Sequence, residues 1–426
     1  MKDKRYLLKL LLMTTLFSNW GPTPIARPER FGKRNQIPFD MMSPPVLKRY
    51  QTRSAYMDES PLSKKLEKCL NQFNPDLPLQ EAFTPPASWY TQADFLKLEG
   101  DRVFNSSWLF AGRADQAANP GDYFTGTILN RPYVVTRNEE HELQAFYNVC
   151  SHHGTCVARG AGKTEQLVCP YHGWTYSLSG KLNKAPKAGD IKQRMAMGLN
   201  LKPICVQNWG PFIFIRFARE GVSLEDQLKG FHEQFPMKML ENLDFVHRQS
   251  YEIPCNWKVF VDNYLDGGYH VPFMHKGLSA QLNLNSYRTE MGEWWSLQSC
   301  GSSSDEGTDH EDDFRERLGD RALYAWIYPH FMINRYGKWM DVNIVLPINE
   351  NRCLTLFDYY YDGEIQEEEL SRALKASDRV QQEDMDICNM VQTGLNSGAY
   401  NKGIYAPRFE APMYHFHRLL LKSLRS

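Results

Sequence analysis

Two short motifs, each combining one cysteine with one histidine, constrain this chain more than any other feature. Cys150-Ser-His152 and Cys169-Pro-Tyr-His172 stand sixteen residues apart. Each motif can present a thiolate and an imidazole from one tight loop. Thiolates suit zinc and iron–sulfur clusters, and imidazoles suit zinc and iron. The spacing therefore predicts a metal centre held between two loops.

The mixed composition of each loop distinguishes the candidate centres. Zinc fingers normally pair cysteine with cysteine and histidine with histidine. A Rieske [2Fe–2S] cluster binds one iron by two cysteines and the other by two histidines, so two facing loops can each supply one of each kind. The second motif is also followed by Gly173-Trp174, as in the second loop of Rieske proteins. We predict a Rieske cluster held by Cys150, His152, Cys169 and His172. The alternatives are a zinc site and unligated core residues. His153 lies outside the predicted ligand set.

A second metal site is predicted downstream, where His270 and His275 have H-x₄-H spacing on or beside a predicted helix. Non-haem Fe(II) oxygenases bind iron by two histidines and one carboxylate, and leave positions open for O₂. The candidate carboxylate is Asp384, on the apolar face of a predicted C-terminal helix. Glu383 and Asp386 beside it are expected to be solvated charges.

The composition is that of an ordinary globular protein. The chain has 426 residues, 42% hydrophobic and 23% charged, which excludes a disordered or fibrous protein. A formal net charge of −1 gives no basic excess that would point to nucleic acid. Nine cysteines scattered along the chain are not a disulfide framework. The longest apolar run, Leu7 to Phe17, is too short to cross a membrane, so we expect no membrane span.

Composition and hydrophobic patterning divide the chain into four parts. Residues 1–60 are expected to be a targeting or disordered extension, because basic residues outnumber acidic ones there and a basic start precedes the apolar run. Residues 61–104 are expected to form an N-terminal arm and helix. Short strand patterns dominate residues 105–217, the expected all-β Rieske domain. Residues 218–426 mix helices with strands and hold the predicted mononuclear iron, so the fold class is α+β.

Individual elements follow from the hydrophobic periodicity. Four helices are predicted, the third broken near Gly267-Gly268: Thr91–Trp108, Leu224–Phe235, Trp257–His275 and Ile365–Gly394. A hairpin is predicted over Tyr133–Val149, and three later strands over Ala325–Arg335, Met340–Pro347 and Cys353–Tyr361.

From about Phe73 to its end, the chain resembles the choline monooxygenase family, the plant-type Rieske oxygenases of glycine betaine synthesis. The cluster loops are common to all Rieske oxygenases, whereas the arm, the strand around Asn334 and the tail are particular to this branch. The matching stretches are Thr84–Tyr90, Tyr123–Gly126, Phe146–His153, Val168–Trp174, Trp209–Phe212, Asn256–Phe260, Asp262–Pro272, Phe331–Gly337 and His415–Leu420.

The resemblance implies a Rieske domain followed by a helix-grip catalytic domain with a curved antiparallel sheet. It implies the seven metal ligands named above, for one [2Fe–2S] cluster and one mononuclear Fe(II). It also implies that choline is oxidised by O₂ to hydrated betaine aldehyde, with electrons from reduced ferredoxin. A head-to-tail homotrimer would bring one subunit's cluster to its neighbour's iron. The family resides in the chloroplast stroma, with the mitochondrion as the alternative location here.

One departure from the wider Rieske oxygenase pattern concerns the carboxylate that links cluster to iron across the subunit boundary. Many members carry it three residues before the first histidine ligand, where this chain has Gly267. We expect Asp266 to be the bridging carboxylate, with Asp262 as its competitor. Asn263, in the same run, is a further candidate catalytic residue.

The substrate pocket is less constrained by the sequence. A quaternary ammonium is commonly held by aromatic faces, and Trp326, Tyr328 and Asn334 are candidate pocket residues, with ordinary core packing as the alternative. Competing functions are an oxygenase of the same fold that acts on another quaternary amine or an aromatic substrate, and a Rieske electron carrier without oxygenase activity.

Overall fold

The computed structural model describes residues 63–189, 198–275, 279, 282–302 and 321–426. The expected extension over residues 1–60 lies outside this part of the chain. Within the described residues, no helix is both long and apolar enough to cross a membrane. The expected divisions at residues 104 and 217 stay predictions.

An arm with three helices opens the described chain and packs against its C-terminal end. Phe83 forms an isolated bridge with Ile404, and the Thr84 N–H donates to the carbonyl of Gly403. Trp89 stacks on Phe95 with ring centroids 5.7 Å apart. The arm is therefore fixed to the last part of the chain. Its helices are α1 (Lys64–Leu70), α2 (Ser88–Thr91) and α3 (Ala93–Arg102).

Ten short strands follow, in three small antiparallel sheets with orders β1-β10-β9, β4-β3-β2-β5 and β6-β7-β8. Two loops, one after β4 and one between β6 and β7, carry the cysteine–histidine motifs. The strands are β1 (Leu109–Arg113), β2 (Asp122–Ile128), β3 (Arg131–Arg137), β4 (Leu143–Tyr147), β5 (Ala161–Lys163), β6 (Gln166–Val168), β7 (Thr175–Ser177), β8 (Leu182–Lys184), β9 (Cys205–Trp209) and β10 (Phe212–Arg216).

A seven-stranded antiparallel sheet dominates the second half, in the order β11-β17-β16-β15-β14-β13-β12. Most of its strands are nearly continuous buried runs, as expected for strands covered on both faces. The strands are β11 (Leu243–Ile253), β12 (Leu282–Met291), β13 (Trp295–Ser302), β14 (Arg321–Ile327), β15 (Phe331–Tyr336), β16 (Trp339–Asn349) and β17 (Arg352–Asp362).

One face of the large sheet packs on the short-strand part, and the other packs on helices. Phe214 of β10 meets Phe331 of β15 edge to face, with centroids 5.1 Å apart. On the opposite face, Trp326 meets Phe416 with centroids 5.4 Å apart. The helices are α4 (Leu224–Gln227), α5 (Phe231–Gln234), α6 (Trp257–Tyr264), α7 (Val271–Met274), α8 (Glu367–Asn396) and α9 (Ala411–Arg425), with 3₁₀ turns at Ala114–Ala117 and Met237–Leu240.

The predicted α+β class is confirmed, and several elements differ in detail. The predicted helix Leu224–Phe235 is two short helices, because the chain turns at Gly230 with φ 77°. The predicted strand Ala325–Arg335 covers parts of two strands, β14 and β15, which pair with each other as a hairpin. Sequence reasoning missed α9 as a helix, although its leucines are buried. The break near Gly267-Gly268 and the long α8 are confirmed.

A buried ion pair ties the arm to the helix that leads into the second histidine motif. The Lys258 ammonium of α6 donates to Glu99 of α3 over 2.6 Å, and the Trp257 indole donates to the other carboxylate oxygen over 2.7 Å. Both charged side chains are buried. Burial raises the pKa of Glu99 and lowers that of Lys258, while their mutual attraction opposes both shifts.

Replacing one partner of this pair leaves a buried charge uncompensated. We expect Lys258→Met to destabilise the protein by about 3–5 kcal/mol, and Glu99→Leu added to it to recover part of that loss. The matched control is Lys422→Met, which removes an exposed ion pair with Glu293 and should cost less than about 1 kcal/mol. Urea midpoints of the purified proteins measure this, and equal midpoints for the two lysine variants would contradict it.

Candidate metal centres

The two cysteine–histidine loops have the same turn in the structure. The Gly154 N–H donates to the carbonyl of Cys150, and the Gly173 N–H to that of Cys169, each over 3.0 Å. The two glycines have φ of 77° and 70°, a conformation that glycine adopts without strain. Each turn places its cysteine at the base of the loop, and both thiols are buried.

The histidines of these loops lie at an exposed tip. The rings of His152 and His172 are 4.7 Å apart, and His152 stacks on Trp174 at 4.6 Å. His153 also lies there, with its ring 5.5 Å from that of His172. Partial desolvation by the surrounding rings, and then the charges of His153 and His172, lower the pKa of His152, which favours the neutral form that binds metals.

Two side chains that sequence reasoning missed organise these loops. The Tyr176 hydroxyl lies 3.2 Å from the Cys150 sulfur and accepts from the Ser151 N–H at 3.1 Å. Asn148 accepts from the Val157 and Ala158 N–H groups and donates to the carbonyl of Ala158. Their one sequence signal is position: Asn148 lies two residues before the first cysteine, and Tyr176 two after the Gly-Trp pair.

The second histidine pair meets its candidate carboxylate. One ligand atom from each of His270, His275 and Asp384 lies within 4.8 Å of the others. The Asp384 Oδ1 is 3.2 Å from the His275 Nε2 and 3.8 Å from the His270 Nε2. His275 and Asp384 are buried, and His270 is half-buried. The structure thus brings together two imidazoles and one carboxylate from α8 and the chain around α7.

Carboxylates orient both imidazoles from behind. Asp266 lies 2.6 Å from the His270 Nδ1, and Glu383 lies 2.6 Å from the His275 Nδ1. Each contact fixes the ring so that its Nε2 faces Asp384, as in carboxylate–histidine–metal arrangements. The expectation that Glu383 is merely solvated is therefore wrong. Asp386 is exposed and accepts from the side-chain amide of Gln382 at 3.0 Å.

Electrostatics in this cluster favour positive charge. Burial lowers the pKa of His275, but the hydrogen bonds and charges of Asp384 and then Glu383 outweigh it and raise the pKa above its ordinary value. Asn263 donates to the Asp384 Oδ1 at 2.8 Å. A metal that binds here therefore replaces a proton within a set of carboxylates.

A steric clash explains why position 267, three residues before His270, is occupied by glycine. Gly267 has φ +69°, and an added Cβ would lie 2.2 Å from the carbonyl oxygen of Phe409. No side chain fits there, so no carboxylate can occupy this position. The neighbouring Asp266 carboxylate is held in place, because its oxygens also accept from the N–H groups of Gly268 and His270.

Asp262, the competitor for the bridging role, faces another direction. It accepts from the Tyr90 hydroxyl at 2.7 Å and lies 2.9 Å from the His417 Nε2, whose other ring nitrogen is 2.7 Å from the Tyr405 hydroxyl. These bonds connect α6 to the arm and to α9.

The three candidate pocket residues separate into two environments. Trp326 and Tyr328 are fully buried, and they bond to the carbonyl of Pro329 and to the Ser423 hydroxyl, respectively. Asn334 is half-buried and accepts from the Tyr264 hydroxyl at 2.8 Å. Asn334 is thus linked to α6, whose residue Asn263 contacts Asp384.

Comparison with known proteins agrees with this arrangement. Residues 107–195 match the Rieske [2Fe-2S] domain, and residues 240–426 match the ring hydroxylating alpha subunit (catalytic domain). A solved quaternary ammonium Rieske monooxygenase in complex with an inhibitor has a TM-score of 0.73 at 28% identity, covering 84% of this chain and 98% of that one. Fold and sites together define a Rieske non-haem iron oxygenase.

The chloroplastic choline monooxygenase of Arabidopsis thaliana is 45% identical, over 84% of this chain and 87% of that protein. The carnitine monooxygenase oxygenase subunit of Escherichia coli (strain K12) is 31% identical, over 80% of this chain and 94% of that protein. The chain belongs to the choline monooxygenase family, which confirms the resemblance seen in the sequence. The matched domains imply one Rieske [2Fe–2S] cluster and one mononuclear iron.

The iron site generates a prediction about metal content. Asp384→Ala should lower the iron content from about three atoms per chain to about two, because the cluster retains its own pair. Iron analysis and the visible spectrum of the cluster measure this. The control Asp386→Ala, two residues along the same helix and exposed, should keep all the iron. Equal iron content in the two variants would remove Asp384 from the ligand set.

Proposed function

We propose that this protein is a choline monooxygenase, which oxidises choline to betaine aldehyde hydrate with O₂ and electrons from reduced ferredoxin. The observation that carries the proposal is the convergence of His270, His275 and Asp384 in a chain 45% identical to a choline monooxygenase. Two histidines and one carboxylate are the donor set of non-haem iron oxygenases.

The residues present fit both groups. Cys150, Cys169, His152 and His172 would hold the cluster, and His270, His275 and Asp384 would hold the iron. When bound, the cluster supplies single electrons, and the iron supplies the site at which O₂ is activated for C–H hydroxylation. In the balanced reaction, choline, O₂, two electrons and two protons give betaine aldehyde hydrate and water.

The chain's own residues position the ligands and hold protons. Asp266 and Glu383 accept from the Nδ1–H groups of His270 and His275, which keeps each Nε2 free as a ligand. Asn263 orients Asp384. Burial of His275 and Asp384 excludes bulk water from one side of the site, which strengthens the electrostatic contacts there.

Exposed surfaces support electron transfer between copies of the chain. His152, His172 and Tyr171 are exposed at the cluster tip. Beside the iron site, an apolar cleft of about 300 Å³ is lined in part by Tyr269, Phe273 and Phe409. We propose a homotrimer in which the tip of one subunit docks beside the iron of its neighbour, with Asp266 between the two centres. A related quaternary ammonium Rieske monooxygenase is described as having inter-subunit electron transfer.

The chloroplast is the proposed location. The curated choline monooxygenase relatives are named chloroplastic, and the basic N-terminal extension fits a targeting segment. Reduced ferredoxin would be available in that compartment.

The central test is turnover of choline by the reconstituted protein. We expect O₂ uptake with reduced ferredoxin to depend on choline and to match formation of betaine aldehyde. L-Carnitine is the second substrate to assay, because a relative at 31% identity is a carnitine monooxygenase subunit. A normal Rieske spectrum without choline-coupled uptake would contradict the proposal, and uptake coupled to carnitine would replace it.

The bridging role is tested with Asp266→Asn. Both metals should remain bound, while oxidation of the reduced cluster in a single turnover should slow by about 10- to 100-fold or more, the range typical of losing a carboxylate behind a ligand. Asp262→Asn should instead lower thermal stability, since it loses contacts with Tyr90 and His417. If Asp266→Asn reoxidises its cluster at the wild-type rate, the bridge is elsewhere.

A further inference from the structure

A row of polar side chains crosses the large sheet on the face that packs on helices. Residues directly opposite each other on paired strands point to the same face of a sheet. The register makes five residues successive partners across β13 to β17: Gln298, Tyr324, Asn334, Asp341 and Tyr359. The row two residues away on one side mixes apolar and polar residues: Ser296, Trp326, Met332, Asn343 and Phe357. The row on the other side has no charged residue and consists of Cys300, Ala322, Tyr336, Trp339 and Tyr361.

This polar row is connected to the candidate iron site through α6. The Tyr264 hydroxyl of α6 donates to the Asn334 Oδ1 at 2.8 Å, and the preceding residue, Asn263, donates to the Asp384 Oδ1 at 2.8 Å. Two consecutive residues of α6 therefore contact the polar row and Asp384, respectively. The Tyr287 hydroxyl also donates to the Gln298 Oε1 at 2.7 Å, and the ring of Tyr287 packs against Gly268 in the turn before His270.

The polar row lies inside the fold, but several side chains in it and around it are partly exposed. Tyr264, Tyr287, Tyr324 and Asn334 are half-buried rather than buried. Tyr287 also lines the apolar cleft beside the iron site. A small molecule that enters from the cleft would thus meet tyrosine rings first.

The row contains one carboxylate, that of Asp341. It is 3% exposed. The Asn334 amide donates to its Oδ2 at 2.7 Å, and the Tyr336 hydroxyl donates to its Oδ1. These donors hold the carboxylate in one orientation. A fixed negative charge in a low-dielectric site attracts a cation much more strongly than the same charge in water.

We infer that Asp341 is the counter-charge for the quaternary ammonium group of the substrate, with the rings of Tyr264, Tyr287 and Tyr324 around the methyl groups. A quaternary ammonium has no N–H to donate, so charge and aromatic faces are what can recognise it. Asn334, a candidate from the sequence, then acts as a positioning residue for Asp341. This inference deepens the proposed function and rests on its quaternary amine substrate.

The test compares choline with its uncharged isostere, 3,3-dimethyl-1-butanol, which replaces the nitrogen by carbon. Titration calorimetry on the anaerobic holoenzyme gives both dissociation constants. We expect the wild type to prefer choline by at least about tenfold, equivalent to about 1.4 kcal/mol. Asp341→Asn should remove this preference while binding the isostere as the wild type does. Asp341→Glu, which keeps the charge, should retain most of the preference.

Each outcome decides the inference. It is overturned if Asp341→Asn keeps the preference, or if it weakens both ligands equally. Should neither variant fold, a wild-type crystal with arsenocholine decides: the anomalous arsenic peak must lie within about 6 Å of the Asp341 carboxylate, the distance within which opposite charges influence each other strongly. Tetramethylammonium, titrated in parallel, separates the two proposals. If its binding depends on Asp341 in a protein that does not turn over choline, the proposed function fails but the counter-charge stands.

Discussion

The turn at Gly267 and Gly268 is the constraint on which the iron site depends. Both residues have positive φ, and a Cβ at either would collide, with the Phe409 carbonyl at 2.2 Å or the Tyr287 ring at 2.9 Å. Because the chain can reverse here, Asn263 of α6 and Asp266, which follows α6, lie close to His270 and His275, which come a few residues later in the sequence. The same close approach excludes a side chain at position 267, and the carboxylate behind His270 is that of Asp266.

Helix α6 also joins the site to the rest of the molecule. Its first turn is held to the arm by Lys258 and Glu99, Asp262 binds Tyr90 and His417, and Tyr264 reaches the large sheet. Three separate contacts therefore fix one short helix on three sides. Rigid support of this kind holds ligands at the spacing a metal requires. A residue far from the iron, such as Glu99, thereby contributes to the geometry of the site.

The local parts of the site were predictable from the sequence, and the non-local parts were not. Motif spacing predicted the loops of Cys150 and Cys169, and the apolar face of α8 selected Asp384. The role of Glu383 was predicted wrongly, because its position on the helix next to Asp384 does not show that its long side chain reaches the His275 ring. The row from Gln298 to Asp341 depends on the register of four paired strands. The alternation within one strand shows which face a residue points to but does not identify its partner on the next strand.

Negative charge is concentrated around the iron site, and this couples metal binding to the stability of the fold. Asp266, Glu383 and Asp384 surround two imidazoles, and Asp341 lies in the polar row that Tyr264 contacts. This negative charge favours a cation or a proton at the cluster, and it raises the pKa of His275. A divalent cation held by His270, His275 and Asp384 would bind the folded chain selectively, because the unfolded chain does not bring these groups together. Iron bound there would therefore stabilise the same turn and helices that create its site.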